Sequence, residues 1–196
     1  MKVILASNNI GKIHEFRTIL EPIGFEIIPQ VELNVPPIAE TGLTFVENAL
    51  IKARHAAAYT RMPAISDDSG LVVPALHGAP GIYSARYAGE KAMDGQNIKK
   101  LLLNMEELPV EKRQAYFYCA LVFIRYEQDP VPLIACGQWH GSILRHPRGE
   151  HGFGYDPVFY VPERDCSASE LTTDIKNQLS HRALALQSLL RRLEAE

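Results

Sequence analysis

Val3-Ile4-Leu5-Ala6-Ser7-Asn8-Asn9-Ile10-Gly11-Lys12 begins as an apolar, β-branched run, turns polar, and continues into Ile13, Phe16 and Ile19/Leu20 at helical spacing. Strand, tight turn and helix in that order open an α/β fold, in which helices must bury one face against a sheet. The rest of the chain fits that frame. Thr44-Phe45-Val46-Glu47 reads as a capping box, and Val46, Ala49, Leu50, Ala53 and Ala57 line one face of the long helix it starts. Pro63-Ala64-Ile65-Ser66 leads through Asp67-Asp68-Ser69-Gly70 into Leu71-Val72-Val73, which reads as two short strands around a tight corner. Gly78 to Gly89 is a loop. Ile98, Leu101, Leu102 and Met105 form a helical stripe ending near Pro109, and Ala115 to Arg125 is a long strand. After a turn at Glu127-Gln128-Asp129-Pro130, Leu133 to Leu144 reads as its antiparallel neighbour, Pro157 to Val161 as a short strand, and Ser180 as the cap of a closing helix carrying Ala183, Leu186, Leu190 and Leu193. A single α/β domain over residues 1–196 is expected, with a twisted mixed sheet, flanking helices and ligands at the strand ends.

With 196 residues, 46% of them hydrophobic, the chain can fill one core. A net charge of -3 gives no basic field for polymeric nucleic acid or an anionic membrane, so any polyanion must be met locally. Cys119, Cys136 and Cys166 are far apart with no C-x-x-C spacing, which fits a reducing compartment. At the N-terminus the apolar run Val3-Ile4-Leu5-Ala6 is too short for a signal-peptide core, and no stretch elsewhere approaches the length of a membrane span. The expected location is the cytoplasm.

Ser7, Asn8, Asn9, Ile10, Gly11 and Lys12 lie where helix-start amides and the helix dipole attract anions, and Lys12 adds a positive charge. The turn is not a Walker A loop, because Leu5 or Ala6 stands where that motif needs its first glycine and Ile13 where it needs Ser or Thr. An ordinary N-cap turn has the same composition. If phosphates bind here, a metal must be held elsewhere. Asp67 and Asp68 follow a strand, and strand alternation sends only one of them toward a shared cleft; Asp68 is that candidate. Mg²⁺ needs one or two carboxylates besides phosphate oxygens, which Asp68 and Glu40 would supply. Asp68 is also placed to take a proton from water as general base. Lys52 lies one helical turn beyond Asn48 on a polar face.

In His151-Gly152-Phe153-Gly154-Tyr155-Asp156-Pro157, an aromatic stands between glycines just before a strand, and Phe153 is the candidate for stacking on a base. Lys176, Ser180, His181 and Arg182 gather at the start of the expected closing helix. Positive groups oppose the helix dipole there, which points to an anionic or acceptor-rich ligand.

These segments together resemble the noncanonical purine NTP pyrophosphatase family, the dITP/XTP or inosine triphosphate pyrophosphatases. The resemblance runs nearly end to end: residues 7–12, Glu40-Thr41-Gly42-Leu43-Thr44-Phe45 with Glu47-Asn48-Ala49, Asp67-Asp68-Ser69-Gly70-Leu71, Pro80-Gly81-Ile82-Tyr83-Ser84-Ala85-Arg86-Tyr87, Phe153-Gly154-Tyr155-Asp156-Pro157 and Ser180-His181-Arg182. It implies an elongated sheet with two lobes around a central cleft, a homodimer, and Mg²⁺-dependent hydrolysis of ITP, dITP and XTP to monophosphate and pyrophosphate. By position it implies that residues 7 to 12 hold the triphosphate, that Glu40 and Asp68 hold the metal, and that Asp68 accepts the proton. Ser69, Phe153, Gly154, Tyr155, Asp156, Lys176, His181 and Arg182 match the family's substrate contacts. His151 stands where glycine is expected, and Ser66 replaces a usual alanine. Two other readings use the same pieces: a pyrophosphatase for modified pyrimidine nucleotides, and a nucleotide-sensing protein without catalysis.

Overall fold

The computed structural model describes residues 1–194. Among the described residues, seven strands form one mixed sheet flanked by helices. They are β1 (Lys2–Leu5), β2 (Glu26–Pro29), β3 (Ala64–Val72), β4 (Gln114–Ile124), β5 (Leu133–Ile143), β6 (Phe159–Val161) and β7 (Cys166–Ser167), in the order β2-β1-β3-β4-β5-β6-β7. The helices are α1 (Ile10–Leu20), α2 (Phe45–Thr60), α3 (Asp94–Asn104), α4 (Thr173–Leu179) and α5 (His181–Glu194). Among the described residues, no helix is long and apolar enough to cross a membrane.

By internal contacts the chain falls into two compact units. The first contains Met1–Asp68, Cys119–Gly137 and the segment from Arg182 onward. In it β1 runs parallel to both β2 and β3, with Lys2 opposite Glu26 and Ile4 opposite Ala64. Val3 and Leu5 join one buried cluster with Phe16, Leu20 and Leu186, whereas Ile4 and Ala6 join another with Ala49, Ala53, Ala56 and Ala57 of α2. Both faces of β1 are therefore covered, which is why its sequence is a continuous apolar run and not an alternation. Small residues on α2 let that helix approach closely. Its start is the expected capping box: Thr44 Oγ1 accepts from the Glu47 amide at 3.2 Å, and Glu47 accepts from the Thr44 amide at 2.8 Å.

The second unit contains Ser69–Tyr118 and Gln138–His181. Here β5, β6 and β7 pair antiparallel, with Ile143 opposite Phe159 and Tyr160 opposite Ser167. Ile98 and Leu101 of α3 and Met105 at its C-cap pack with Phe117, Trp139 and Phe159 in the core of this unit.

Two sequence expectations need correction, and one strand has no counterpart in the sequence reading. Asp67-Asp68-Ser69-Gly70 is not a corner, because β3 runs straight through it for nine residues. The turn-like composition reflects two buried carboxylates that find ionic partners on alternating faces, so the backbone has no need to reverse. Glu26–Pro29 forms a strand that the sequence reading leaves unassigned, four residues being too few to show alternation. Lys176 does not stand at the start of the closing helix. It lies in the last turn of the separate helix α4, capped by Thr172, where a positive charge complements the helix dipole.

Candidate active site

In the first unit, β1 ends at Leu5 and α1 begins at Ile10, leaving Ala6 to Asn9 as the turn. Asn9 is the N-cap, its Oδ1 accepting from the Lys12 amide at 3.1 Å, and Ser7 Oγ accepts from the Asn9 amide at 3.2 Å. Asn8 Oδ1 accepts from Gln30 at 3.0 Å. The Ile10 and Gly11 amides, in the first helical turn, have no intrahelical acceptor. Ser7 is buried, whereas Asn8, Asn9 and Ile10 are exposed. Free amides at a helix start are donors that can receive an anion.

Strand alternation sends Asp67 and Asp68 into different surroundings. Asp67, 1% exposed, accepts from Lys12 Nζ at 2.9 Å and from Nε and Nη2 of Arg182 at 3.3 Å. Arg182 is buried as well, and its Nη1 donates to Glu15. Lys12, Asp67, Arg182 and Glu15 thus form an ionic quartet of balanced charge. Arg182 stands in the first turn of α5, where the dipole disfavours it, and the two carboxylates offset that penalty. Burial pushes the Asp67 carboxyl upward, but Lys12, Arg182 and Lys52 outweigh it and hold the group well below the ordinary carboxylate range.

Asp68 faces α2. Its Oδ2 accepts from Asn48 Nδ2 at 3.2 Å and its Oδ1 from Lys52 Nζ at 3.2 Å. Lys52 also reaches Glu40 at 3.0 Å, so one ammonium sits between Glu40 and Asp68. Burial raises the Asp68 carboxyl; Lys52 opposes this and Glu40 reinforces it, leaving the group above its usual value. Burial pulls Lys52 down, but Asp68, Asp67 and Glu40 outweigh it and hold Lys52 charged. Adjacent carboxylates with oppositely shifted affinities suit different tasks, one a permanent anion and one a proton acceptor. Glu40 and Asp68 are hard oxygen donors already drawn to a common cation, a donor set that fits Mg²⁺ completed by water and phosphate oxygens. Among the described residues, no three His, Cys, Asp or Glu side chains gather to hold a metal by themselves. Ser66, buried next to the pair, donates its hydroxyl to the Ala49 carbonyl, so the replacement of alanine leaves no polar group unsatisfied there.

The second unit holds the aromatic loop. Phe153 is 36% exposed, between Gly152 and Gly154 at φ of 82° and 61°. A side chain at Gly152 would collide with the Asp156 carboxylate. That carboxylate accepts from the Phe153 amide at 2.9 Å and from Lys176 Nζ at 2.5 Å, and Lys176 lies 4.6 Å from the Phe153 ring centroid. Tyr155 is buried and donates to the Ser84 carbonyl at 2.8 Å, so its side chain anchors the loop to the core. His181 is buried and stacks on Phe117 at 4.9 Å. Ser69 is half-buried on β3. His151 does not adopt a left-handed conformation, so histidine is accommodated where glycine was expected.

Besides Asp67, the residues Glu15, Asn48 and Asp94 lie outside the sequence-derived candidates and contact them. Glu15 follows Lys12 by three positions and Asn48 precedes Lys52 by four, so helical spacing puts each beside a candidate. Asp94, which accepts from the Gly154 amide at 2.7 Å across 60 positions, leaves no local signal.

A dITP/XTP pyrophosphatase of Vibrio cholerae is 53% identical over 195 residues, covering 100% of this chain and 98% of that protein. One of Escherichia coli is 53% identical over 189 residues, covering 96% of each. Among solved structures, a HAM1 protein from Coxiella burnetii superposes with a TM-score of 0.93 at 48% identity over 100% of both chains. The sequence profile described as the Ham1 family matches residues 3–192, and with full-length relatives and a shared fold beside it, this chain belongs to the Ham1 family.

Proposed function

We propose that this chain is a dITP/XTP pyrophosphatase, hydrolysing dITP, XTP and ITP to the monophosphate and pyrophosphate and so clearing them from the nucleotide pool. The names of its full-length relatives support the reaction class. The observation that carries the mechanism is geometric: Asp67 is anchored by Lys12 of the first turn, while the adjacent Asp68 shares the Lys52 ammonium with Glu40.

The amides of residues 7–12 and the ammonium of Lys12 orient the triphosphate. Asp68 takes the proton of a water attacking the α-phosphorus; the new P–O bond forms as the bond to the bridging oxygen breaks and pyrophosphate leaves. Glu40 and Asp68 would hold Mg²⁺, which supplies neutralisation of phosphate charge. Phe153 stacks on the base, and Lys176, Asp156, Ser69 and His181 shape its surroundings. Arg182 enters as the anchor of Asp67, with its side chain turned to Glu15 and Asp67. Hypoxanthine and xanthine carry an acceptor at C6 where adenine carries a donor, so a donor in the base site favours them. The domain of residues 1–196 acts in the cytoplasm as a homodimer.

Incubating the purified protein with dITP, XTP, ITP, ATP, GTP and a modified UTP, with Mg²⁺ or with chelator, and measuring pyrophosphate tests the proposal. Rapid Mg²⁺-dependent release from dITP, XTP and ITP is expected. Orthophosphate as product, faster turnover of the modified UTP, or binding without release would overturn it.

A further inference from the structure

Asn48, in the first turn of α2, is fully buried and serves two neighbours. The Gly42 amide donates to its Oδ1 at 2.8 Å, and its Nδ2 donates to Asp68 Oδ2 at 3.2 Å. A backbone N–H can only donate, so the Gly42 contact fixes the amide orientation and turns the NH₂ toward Asp68. The fit around Gly42 is close: a Cβ there would lie 2.6 Å from Glu47 Cβ and 2.8 Å from Asn48 Oδ1, so the segment just after Glu40 rests directly on the helix. One turn further along α2, Lys52 reaches both Glu40 and the other oxygen of Asp68. Each oxygen of Asp68 therefore has its own donor, a neutral amide on one and an ammonium on the other. The ammonium contributes charge that an entering cation or phosphate would redistribute, whereas the amide contributes direction without charge. At 0% exposure Asn48 cannot touch a nucleotide, so any influence on turnover must pass through the groups it holds.

We propose that Asn48 is a positioning residue of the hydrolytic site, one buried amide that fixes the rotamer of Asp68 through Nδ2 and the Glu40-bearing segment through Oδ1. The two carboxylates then keep their mutual geometry when substrate enters. This rests on the function proposed above.

Two variants of the full chain test it. Asn48→Asp keeps an acceptor for the Gly42 amide but presents an oxygen to Asp68, and Asn48→Leu keeps the volume and removes both bonds. Steady-state kinetics with dITP, thermal unfolding, and titration of Mn²⁺ in the presence of a non-hydrolysable α,β-imido inosine triphosphate, followed by the paramagnetic signal of free Mn²⁺, are the measurements. Groups that orient metal ligands typically change activity or affinity by about 10–100-fold. We expect kcat to fall by about that factor in both variants with KM within about threefold of the unsubstituted protein, and Asn48→Leu to bind Mn²⁺ about tenfold more weakly. A folded variant with kcat less than about tenfold reduced, or one in which KM rises by the same factor as kcat falls, overturns the assignment. If Asn48→Leu fails to fold, Asn48→Asp decides by the same split. An unsubstituted protein that releases no pyrophosphate defeats the proposed function instead, and the Mn²⁺ titration then judges Asn48 alone: unchanged affinity in Asn48→Leu removes its role.

Discussion

The ionic cluster of the first unit and the Phe153 loop of the second are built on different principles. Around Asp67 and Asp68, regular elements place the charges: a strand sends adjacent carboxylates to opposite faces, and α2 presents Asn48 and Lys52 one turn apart. Around Phe153 an irregular turn does the placing, through two left-handed glycines, the Asp156 carboxylate and a tether from Asp94. Charge chemistry sits on rigid scaffolding here, while the aromatic contact sits on a segment held by a few hydrogen bonds. Substitutions in the first region should divide sharply between losing turnover and losing stability; those in the second should tune affinity.

The largest effect is expected from Asp68→Asn. It should lower kcat for dITP by about 10²–10⁴-fold, the range associated with a lost general base. Because ionised Asp68 is disfavoured by burial, the variant should keep a melting temperature at or above that of the unsubstituted protein at neutral pH. Full activity would break the assignment. Next comes Asp67→Asn, one residue away, which leaves Lys12 and Arg182 without their shared carboxylate and should destabilise the fold by about 3–5 kcal/mol in urea denaturation. A carboxyl whose affinity is depressed by folding stabilises the native state above its unfolded pKa of about 4, and that contribution disappears as pH falls through the folded value. The unsubstituted protein should therefore lose stability below about pH 4 more steeply than Asp67→Asn. Equal acid sensitivity would show that the quartet contributes nothing.

In the second region, Phe153→Ala should raise KM for dITP by about 5–150-fold, matching about 1–3 kcal/mol of lost stacking, while kcat changes less. Unchanged KM would remove Phe153 from the base site. The smallest effect is expected from Asp94→Ala, which frees one loop amide worth about 1 kcal/mol and should raise KM by about fivefold. A change in kcat without one in KM would mean that the tether acts on chemistry and not on the loop.

The same division governs what the sequence discloses. Val3 to Ala6, the Thr44 capping box and the stripes of α2 and α3 are legible because burial and helical period leave local patterns. Lys52 and Asp68 are within reach because helix and strand spacing bring a few residues onto one face, whereas Glu40, in the loop before α2, is reached through its place in the chain and the family resemblance. Asp67-Asp68-Ser69-Gly70 misleads because turn chemistry and a buried ionic strand use the same residue types, and partners such as Lys12 and Arg182, at a separation of 115 positions from Asp67 in the latter case, leave no local mark. Asp94 was invisible for the same reason, its partner standing far along the chain.

Arg182 carries a consequence for assembly. Its guanidinium, on α5, links Glu15, 167 positions earlier, with Asp67. Until α5 docks, Asp67 has Lys12 but not its second cation, and the ionic framework beneath the phosphate turn is unfinished. The turn that opens α1 therefore gains its full ionic support only through contacts that span 115 and 167 positions, the slowest kind of contact for a folding chain to close.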